Sequence, residues 1–145
     1  MKPAVIGLGN PDRGDDGVGP EVARRVRPET ADVLVARGEV TELMDLWEGR
    51  PKVFVVDAVR SGSPPGTLHR LEAHREPLPA FVRQTSTHGF GLAEAVELAR
   101  ILGTLPEELV LYGIEAERME AGAGLSPRVR RAVGQVVQRL EEELA

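Results

Sequence analysis

Three residues have the types and positions that best suit a catalytic or metal-binding role: Asp16, Asp57 and His88. Asp16 lies in a glycine-rich loop that follows a short apolar run. Asp57 interrupts the apolar run "VFVVDAV" near its end, where a buried carboxylate is costly unless it is paired or ligated. His88 stands in "STHGFGL", directly before a predicted helix. Two carboxylates and one imidazole form a mixed oxygen and nitrogen ligand set, which suits zinc, nickel or a similar divalent ion.

Each of these residues also has a purely structural explanation. Asp16 would stabilise the positive end of the first helix, and Asp57 would accept hydrogen bonds from neighbouring loop amides. His88 would be an ordinary surface or loop histidine. His69 and His74 have no comparable setting, and we expect both to be structural or solvent-exposed.

The glycine-rich loop in "AVIGLGNPDRGDDGVGPEV", residues 4–22, does not fit a phosphate site. A dinucleotide-binding motif needs G-x-G-x-x-G after the first strand; Gly7 and Gly9 match it, but Asp12 occupies the third glycine position. The Gly-Lys-Ser/Thr of a P-loop is missing as well. Three aspartates in this segment would repel an anion. The loop is therefore predicted to face a cation.

Apolar periodicity predicts alternating strands and helices. Strands are predicted at residues 4–9, 33–36, 53–59 and 109–114, with a weaker candidate at 67–73. Helices are predicted around 18–26, and at 41–48, 90–102 and 126–144, the last capped by Ser126 with Pro127 as its first residue. The segments between these elements, above all 60–66 and 74–87, are predicted to be loops.

This alternation predicts one α/β domain over residues 1–145. We expect a three-layer sandwich, a mainly parallel twisted sheet flanked by helices, of the general phosphorylase/hydrolase-like kind. In such sheets ligands bind beyond the carboxyl ends of the strands. Asp16, Asp57 and His88 are therefore expected to converge at that edge.

The composition excludes several kinds of site and partner. The 145 residues include no cysteine, which excludes disulfides, thiolate metal sites and a cysteine nucleophile. A formal net charge of −5 argues against a nucleic-acid partner, since proteins that bind nucleic acids carry a basic patch. The first residues form neither a signal sequence nor a membrane span, so we expect a cytoplasmic protein without a membrane partner.

Five motifs along the chain resemble those of the nickel–iron hydrogenase maturation endopeptidases. They are "GLGNPDRGDDGVGPEV", "VFVVDAV", "STHGFGLAEAV", "LVLYGIEAE" and "GLSPRV", and they span about residues 4 to 140. The resemblance implies a hydrolase that removes a C-terminal extension from a hydrogenase large-subunit precursor after nickel has been inserted. It places the catalytic and metal-contacting residues of the family on Asp16, Asp57 and His88.

The resemblance also implies where the metal comes from. Nickel is supplied by the substrate precursor, so the protein needs no tightly held metal of its own, although zinc or cadmium is expected to occupy the site in vitro. Many relatives carry a Gly-Gly-Thr or Gly-Thr turn for precursor recognition; here the segment reads "ARGEVTELM", which leaves Gly38 and Glu39 as the predicted substrate-binding residues. Gly89 also replaces a frequently polar residue after the histidine. Both departures concern which precursor is cut.

Two mechanisms and two other functions are consistent with the sequence. A metal-bound water or metal-polarised carbonyl would make the enzyme a metal-dependent peptidase. Alternatively the three residues only sense nickel, and a carboxylate such as Asp57 or Asp15 acts as the general base of an aspartyl-type peptidase. "IGLGNP" also begins peptidyl-tRNA hydrolases, but their catalytic histidine has no counterpart in "DRGDDGVG". A non-catalytic nickel or precursor-binding chaperone on the same scaffold is the other alternative.

Overall fold

The computed structural model of the chain describes residues 1–27, 29, 31–85 and 91–145. Its strands are β1 (Ala4–Leu8), β2 (Asp32–Ala36), β3 (Lys52–Val59), β4 (Leu68–Glu72) and β5 (Glu108–Glu115). Its helices are α1 (Val18–Arg25), α2 (Val40–Trp47), α3 (Ala80–Thr85), α4 (Leu92–Leu102) and α5 (Pro127–Leu144). A 3₁₀ turn, Gly14–Gly17, precedes α1.

The five strands form one sheet in the order β2-β1-β3-β5-β4. All neighbouring strands are parallel except β4, which runs antiparallel to β5 at the edge. The carboxyl ends of β1, β3 and β5 therefore meet at one edge of the sheet, and the loops before α1 and α5 start there. The predicted α/β architecture with a mainly parallel sheet is confirmed.

Two apolar layers cover the two faces of the sheet. On one face, Val53, Val55 and Leu111 belong to a core with side chains of α2 and α4. On the other face, Phe54 and Tyr112 belong to a core with side chains of α1 and α5. Alternate residues of β3 thus point into different cores, as the pleat of a strand requires. Asp57 follows Val53 and Val55 in this alternation, so it lies on the α2 and α4 face.

Close backbone packing fixes the start of α1 against the sheet. A Cβ atom added to Gly7 would lie 2.2 Å from the Gly19 carbonyl oxygen. One added to Gly19 would lie 2.2 Å from the Leu8 oxygen and 2.6 Å from the Val56 oxygen. The two glycines therefore serve close strand–helix contact, which holds the loop between β1 and α1 over the end of β3.

Two details differ from the expectations, in α3 and at Ser126, whereas the weaker strand predicted at 67–73 is confirmed as β4. Helix α3 lies within the segment 74–87, for which the sequence predicts a loop. Ser126 does precede α5, but its side chain makes no capping hydrogen bond to the helix and donates elsewhere instead. Strand β4 is the antiparallel edge strand, and its partial exposure explains why the alternation in 67–73 is weak. Within the described residues, no helix is long and apolar enough to cross a membrane.

Candidate active site

Asp16 is held in the 3₁₀ turn between β1 and α1. Its Oδ2 accepts a hydrogen bond from the backbone N–H of Asn10 at 2.9 Å, and its own N–H donates to the Arg13 carbonyl at 3.1 Å. Gly9 adopts a φ of 132°, and a Cβ there would lie 1.9 Å from the Asp16 carbonyl oxygen. Only glycine fits this position. The loop thus closes on itself and fixes the Asp16 carboxylate, which stays partly exposed.

Asp57 lies near the end of β3, opposite Gly113 of β5. Its Oδ1 accepts a hydrogen bond of 2.9 Å from the N–H of Ala58. Burial raises the pKa of the Asp57 carboxyl well above its usual range, and the nearby negative charge of Asp16 raises it further; the Ala58 hydrogen bond offsets only part of this. Asp57 is half-buried, so its carboxylate is partly removed from water and partly open to the edge of the sheet.

Asp16 and Asp57 bring two carboxylates together at this edge of the sheet, and the charge of Asp16 raises the pKa of Asp57. Two carboxylates near each other repel, and a cation between them would relieve that repulsion and compensate for the desolvation of Asp57. Both supply the hard oxygen donors that divalent ions accept. His88, the third predicted ligand, lies outside the described residues. Among the residues that are described, no group of three or more His, Asp or Glu side chains is arranged to hold a metal ion.

Asp15, the neighbour of Asp16, has a different role from the one considered in the sequence. Its side chain is fully buried and accepts four hydrogen bonds, from the N–H groups of Glu117, Arg118 and Ser126 and from the Ser126 hydroxyl. Burial opposes ionisation, but these bonds outweigh it and lower the pKa of Asp15. The suggestion that Asp15 acts as a general base is wrong, because its oxygens are occupied and its affinity for a proton is reduced.

Gly38 and Glu39, the predicted substrate-binding pair, follow β2 at the same edge of the sheet. Gly38 has a φ of 102°, and its N–H donates to Glu42 Oε1 at 3.2 Å. Glu39 is exposed directly before α2. Leu8 of β1 is the nearest neighbour that a Cβ at Gly38 would meet, at 3.9 Å. The pair is therefore placed where a substrate could reach it, and its role stays a prediction.

A second polar cluster, which the sequence did not predict, lies at this edge around Glu115. Glu115 is only 3% exposed and ends β5. It accepts hydrogen bonds from the N–H and hydroxyl of Ser61, at 2.8 and 2.6 Å, from the N–H of Gly62 at 3.3 Å, and from His69 Nε2 at 3.1 Å. The sequence did contain one signal for it: Glu115 ends the apolar run "LVLYGIE", much as Asp57 interrupts the apolar run "VFVVDAV".

The cluster of Ser61, His69 and Glu115 contains the residue types of a serine hydrolase but not its geometry. In a catalytic triad the imidazole contacts serine and carboxylate through different nitrogens. Here His69 Nε2 contacts both Glu115, at 3.1 Å, and the Ser61 oxygen, at 3.4 Å. The Ser61 hydroxyl donates directly to Glu115 at 2.6 Å. Because the same ring nitrogen contacts both the serine and the carboxylate, His69 is not placed to relay a proton from Ser61 to a second group.

Comparison with known proteins decides the family. The family model of the hydrogenase maturation proteases matches residues 18–143. This chain belongs to that family. The match includes the positions of Asp57 and His88 and begins two residues after Asp16. Family membership confirms the resemblance seen in the five motifs and makes the protein a peptide-bond hydrolase by family.

Individual relatives agree with this assignment. The hydrogenase 2 maturation protease of Escherichia coli is 30% identical over an alignment of 153 positions, which covers 98% of this chain and 92% of the relative. The hydrogenase expression/formation protein HupD of Thiocapsa roseopersicina is 30% identical over 97% of this chain and 66% of its own length. Among solved structures, the E. coli hydrogenase maturating endopeptidase HybD aligns with a TM-score of 0.75 at 28% identity, covering 99% of this chain and 94% of that one.

Proposed function

We propose that this hydrogenase maturation protease removes a C-terminal extension from a nickel-loaded hydrogenase large-subunit precursor, and that Asp16, Asp57 and His88 read the metal. The observation that carries the proposal is geometric: the turn that carries Asp16 contacts β3, which carries Asp57 near its end, so both carboxylates lie at the carboxyl edge of the sheet. The charge of Asp16 raises the pKa of Asp57, which agrees with this placement. The two carboxylates repel each other when the site is empty, and a bound cation would replace that repulsion by attraction.

In this proposal the nickel ion belongs to the substrate. Asp16 is oriented by the Asn10 N–H and Asp57 by the Ala58 N–H, so both carboxylates are fixed before the precursor arrives. His88 would complete the set with a nitrogen donor. These fixed ligands come from separate segments of the chain, and the precursor would fill the remaining positions around the ion. The site would therefore bind a nickel-loaded precursor much more tightly than free metal.

Asp57 is also the best candidate for a general base in the alternative in which the metal is only a recognition element. A raised carboxyl pKa makes the group a better proton acceptor near neutral pH. Burial and the Asp16 charge both act in that direction on Asp57. Asp15, with four hydrogen bonds to its oxygens, is not available for this role.

The test is cleavage of a purified precursor with and without nickel, followed by the loss of its C-terminal peptide in a mass spectrum. We expect the wild-type protein to cleave the nickel-loaded precursor only. Asp16→Asn, Asp57→Asn and His88→Ala should each abolish cleavage. Asp12→Asn, which changes an exposed aspartate of the same loop, and His74→Asn, at the opposite end of β5, are the matched controls and should retain activity.

Three outcomes would separate the proposal from its alternatives. Equal cleavage of nickel-free precursor would remove the metal-reading role of the site. Binding of loaded precursor without any cleavage would favour a maturation chaperone. Hydrolysis of a peptidyl-tRNA would contradict the proposal, and the net charge of −5 disfavours that result.

A further inference from the structure

Strand β2 forms one edge of the sheet, and part of its backbone faces away from β1. The Ala36 carbonyl accepts a hydrogen bond from the Gly9 N–H, so Ala36, and with it Leu34, directs its backbone groups to β1. The N–H and C=O groups of Val33 and Val35, which alternate with them, therefore point to the open edge. None of these four groups has a hydrogen-bond partner among the residues that the structure describes.

The sequence of β2 does not block this edge. Protein sheets commonly protect an open edge with lysine, proline or a β-bulge. The strand "DVLVA" contains neither residue, and its register with β1 is continuous from Asp32 to Ala36, so it has no bulge. Val35 is 57% exposed, which places an apolar side chain beside the free backbone groups. A further strand on this edge would therefore gain both main-chain hydrogen bonds and an apolar contact.

The open edge leads to the candidate active site. Ala36 is bonded to Gly9, and a Cβ on Gly9 would lie 1.9 Å from the carbonyl oxygen and 3.4 Å from Oδ1 of Asp16. The end of β2 is thus separated from the Asp16 carboxylate by Gly9 alone. A strand added to β2 would lie two strand spacings, about 10 Å, from β1, a distance that about three extended residues span.

Gly38, which follows β2, leaves room for a chain to make this crossing. It is half-buried, and a Cβ added there would meet Leu8 Cδ1, at 3.9 Å, and no closer atom of the described chain. Its N–H donates to Glu42 Oε1 at 3.2 Å, which fixes the loop. A peptide that leaves the edge at Val35 would therefore find open space over Gly38 on its way to Asp16.

We propose that the precursor segment next to the cleavage site binds as an added β-strand on the open edge of β2, pairs with Val33 and Val35, and passes over Gly38 to reach Asp16. The inference rests on the proposed function, because the ligand is the peptide chain of the same substrate. Main-chain hydrogen bonds recognise the extended conformation of that chain. This contact is separate from the metal, and it holds the peptide while the three metal-reading residues contact the nickel.

The main experiment compares Val35→Pro with Val35→Thr in the cleavage of nickel-loaded precursor. Proline removes the N–H that points to the open edge and leaves the hydrogen bonds between β2 and β1 in place. Threonine keeps that N–H and the β-branched shape. We expect Val35→Pro to raise KM about five- to thirtyfold, the effect of one or two lost hydrogen bonds, with kcat nearly unchanged. Val35→Thr should stay close to wild type, and thermal melts show whether both variants are folded.

Amide hydrogen exchange tests the same contact without cleavage. In the free protein the N–H groups of Val33 and Val35 should exchange rapidly, and that of Leu34, which donates to β1, slowly. In a complex of Asp57→Asn with nickel-loaded precursor, exchange at Val33 and Val35 should slow about tenfold or more, while Leu34 changes little. Size-exclusion chromatography verifies that the complex has formed. Slowing at neither valine in that complex would overturn the inference.

The outcomes distinguish this inference from the proposed function. If the wild-type protein cleaves the precursor and folded Val35→Pro has the KM of Val35→Thr, the inference is wrong and the proposed function stands. If Val35→Pro does not fold, hydrogen exchange decides. Slow exchange at Val33 and Val35 that grows with protein concentration would indicate pairing with a second copy of the chain, and would also overturn the inference. If the wild-type protein neither binds nor cleaves any precursor, the proposed function fails and this inference fails with it.

Discussion

Ser126 donates two hydrogen bonds to Asp15, from its backbone N–H to Oδ1 at 2.7 Å and from its hydroxyl to Oδ2 at 2.8 Å. These residues are 111 positions apart in the chain, and the pair joins the start of α5 to the turn that carries Asp16. Adjacent aspartates therefore have opposite roles. Asp15 joins its own turn to the segment before α5 through hydrogen bonds. Asp16 has no such structural role and lies at the edge of the sheet.

We expect Asp15→Asn to destabilise the protein. The asparagine keeps one accepting oxygen, but its amide group would face N–H donors that lose their partner. Leaving such buried groups unpaired should cost about 2–4 kcal/mol of unfolding free energy. Urea denaturation at pH 7 measures this, with Asp12→Asn as the control. A variant as stable as that control would show that the Asp15 bonds contribute nothing.

Asp57→Asn should have the opposite effect on stability while it abolishes cleavage. Because the folded-state pKa of Asp57 is raised, wild-type stability falls as the pH rises from the unfolded-state value near 3.8 through the folded-state pKa. Because asparagine does not ionise, the stability of Asp57→Asn does not fall in this way as the pH rises. Its melting temperature should therefore exceed that of wild type at pH 7, by about 3 °C for each kcal/mol of relief, and the difference should shrink at pH 4. A lower melting temperature at pH 7 would contradict this account.

The sequence predicted the architecture well because periodicity and burial act locally. "KVFVVDAV" is typical of a strand buried on both faces, and β3 is that strand. The mainly parallel pairing also follows from the alternation of strands and helices. Helix α3 was missed because six residues, "AFVRQT", are too short to show a helical period.

The site was only partly predictable, since its electrostatics depend on contacts between distant segments. Asp57 was recognisable because a carboxylate inside an apolar strand is unusual. Asp15 was not separable from Asp16 in the sequence, because its partners lie more than 100 residues away. The sequence gives His69 no distinguishing setting because its partner Glu115 lies on another strand, and only the register of β4 and β5 brings them together.

Trp47 gives a prediction about the apolar core. It is 1% exposed in α2, and its Nε1 is the one buried side-chain N or O atom without a hydrogen-bond partner among the described residues. Trp47→Phe removes this unpaired donor, which offsets part of the cost of lost volume. We expect Trp47→Phe to change the unfolding free energy by less than about 1.5 kcal/mol, and Trp47→Ala to lower it by about 3–5 kcal/mol. Equal losses in both variants, measured by denaturation, would rule this out.

Glu115→Gln should make stability depend less on pH. The folded-state pKa of Glu115 is lowered, so its contribution is present above the unfolded-state value of 4.5 and is lost as the pH falls through the folded-state pKa. At pH 7 the variant should be about 1–3 kcal/mol less stable than wild type. The gap should narrow as the pH falls below 4.5. Denaturation curves at several pH values test this, and a gap independent of pH would contradict it.

Two glycine substitutions should separate close packing from helix propensity. Gly19→Ala would place a Cβ 2.2 Å from the Leu8 oxygen and 2.6 Å from the Val56 oxygen, and neither backbone atom can move without shifting a central strand. We expect a loss of about 3–5 kcal/mol and, since α1 follows directly from the turn that carries Asp16, loss of precursor cleavage as well.

Gly134→Ala is the matched control for that change. Gly134 lies in the middle of α5, is exposed, and a Cβ added there would have no atom within 4 Å. Replacing glycine by alanine inside a helix should raise the unfolding free energy by about 0.5–1 kcal/mol, because the unfolded chain loses conformational freedom. Cleavage should stay unchanged. Thermal melts of both variants provide the comparison, and a stable, active Gly19→Ala protein would mean that α1 does not need its close approach to β1 and β3 to position Asp16.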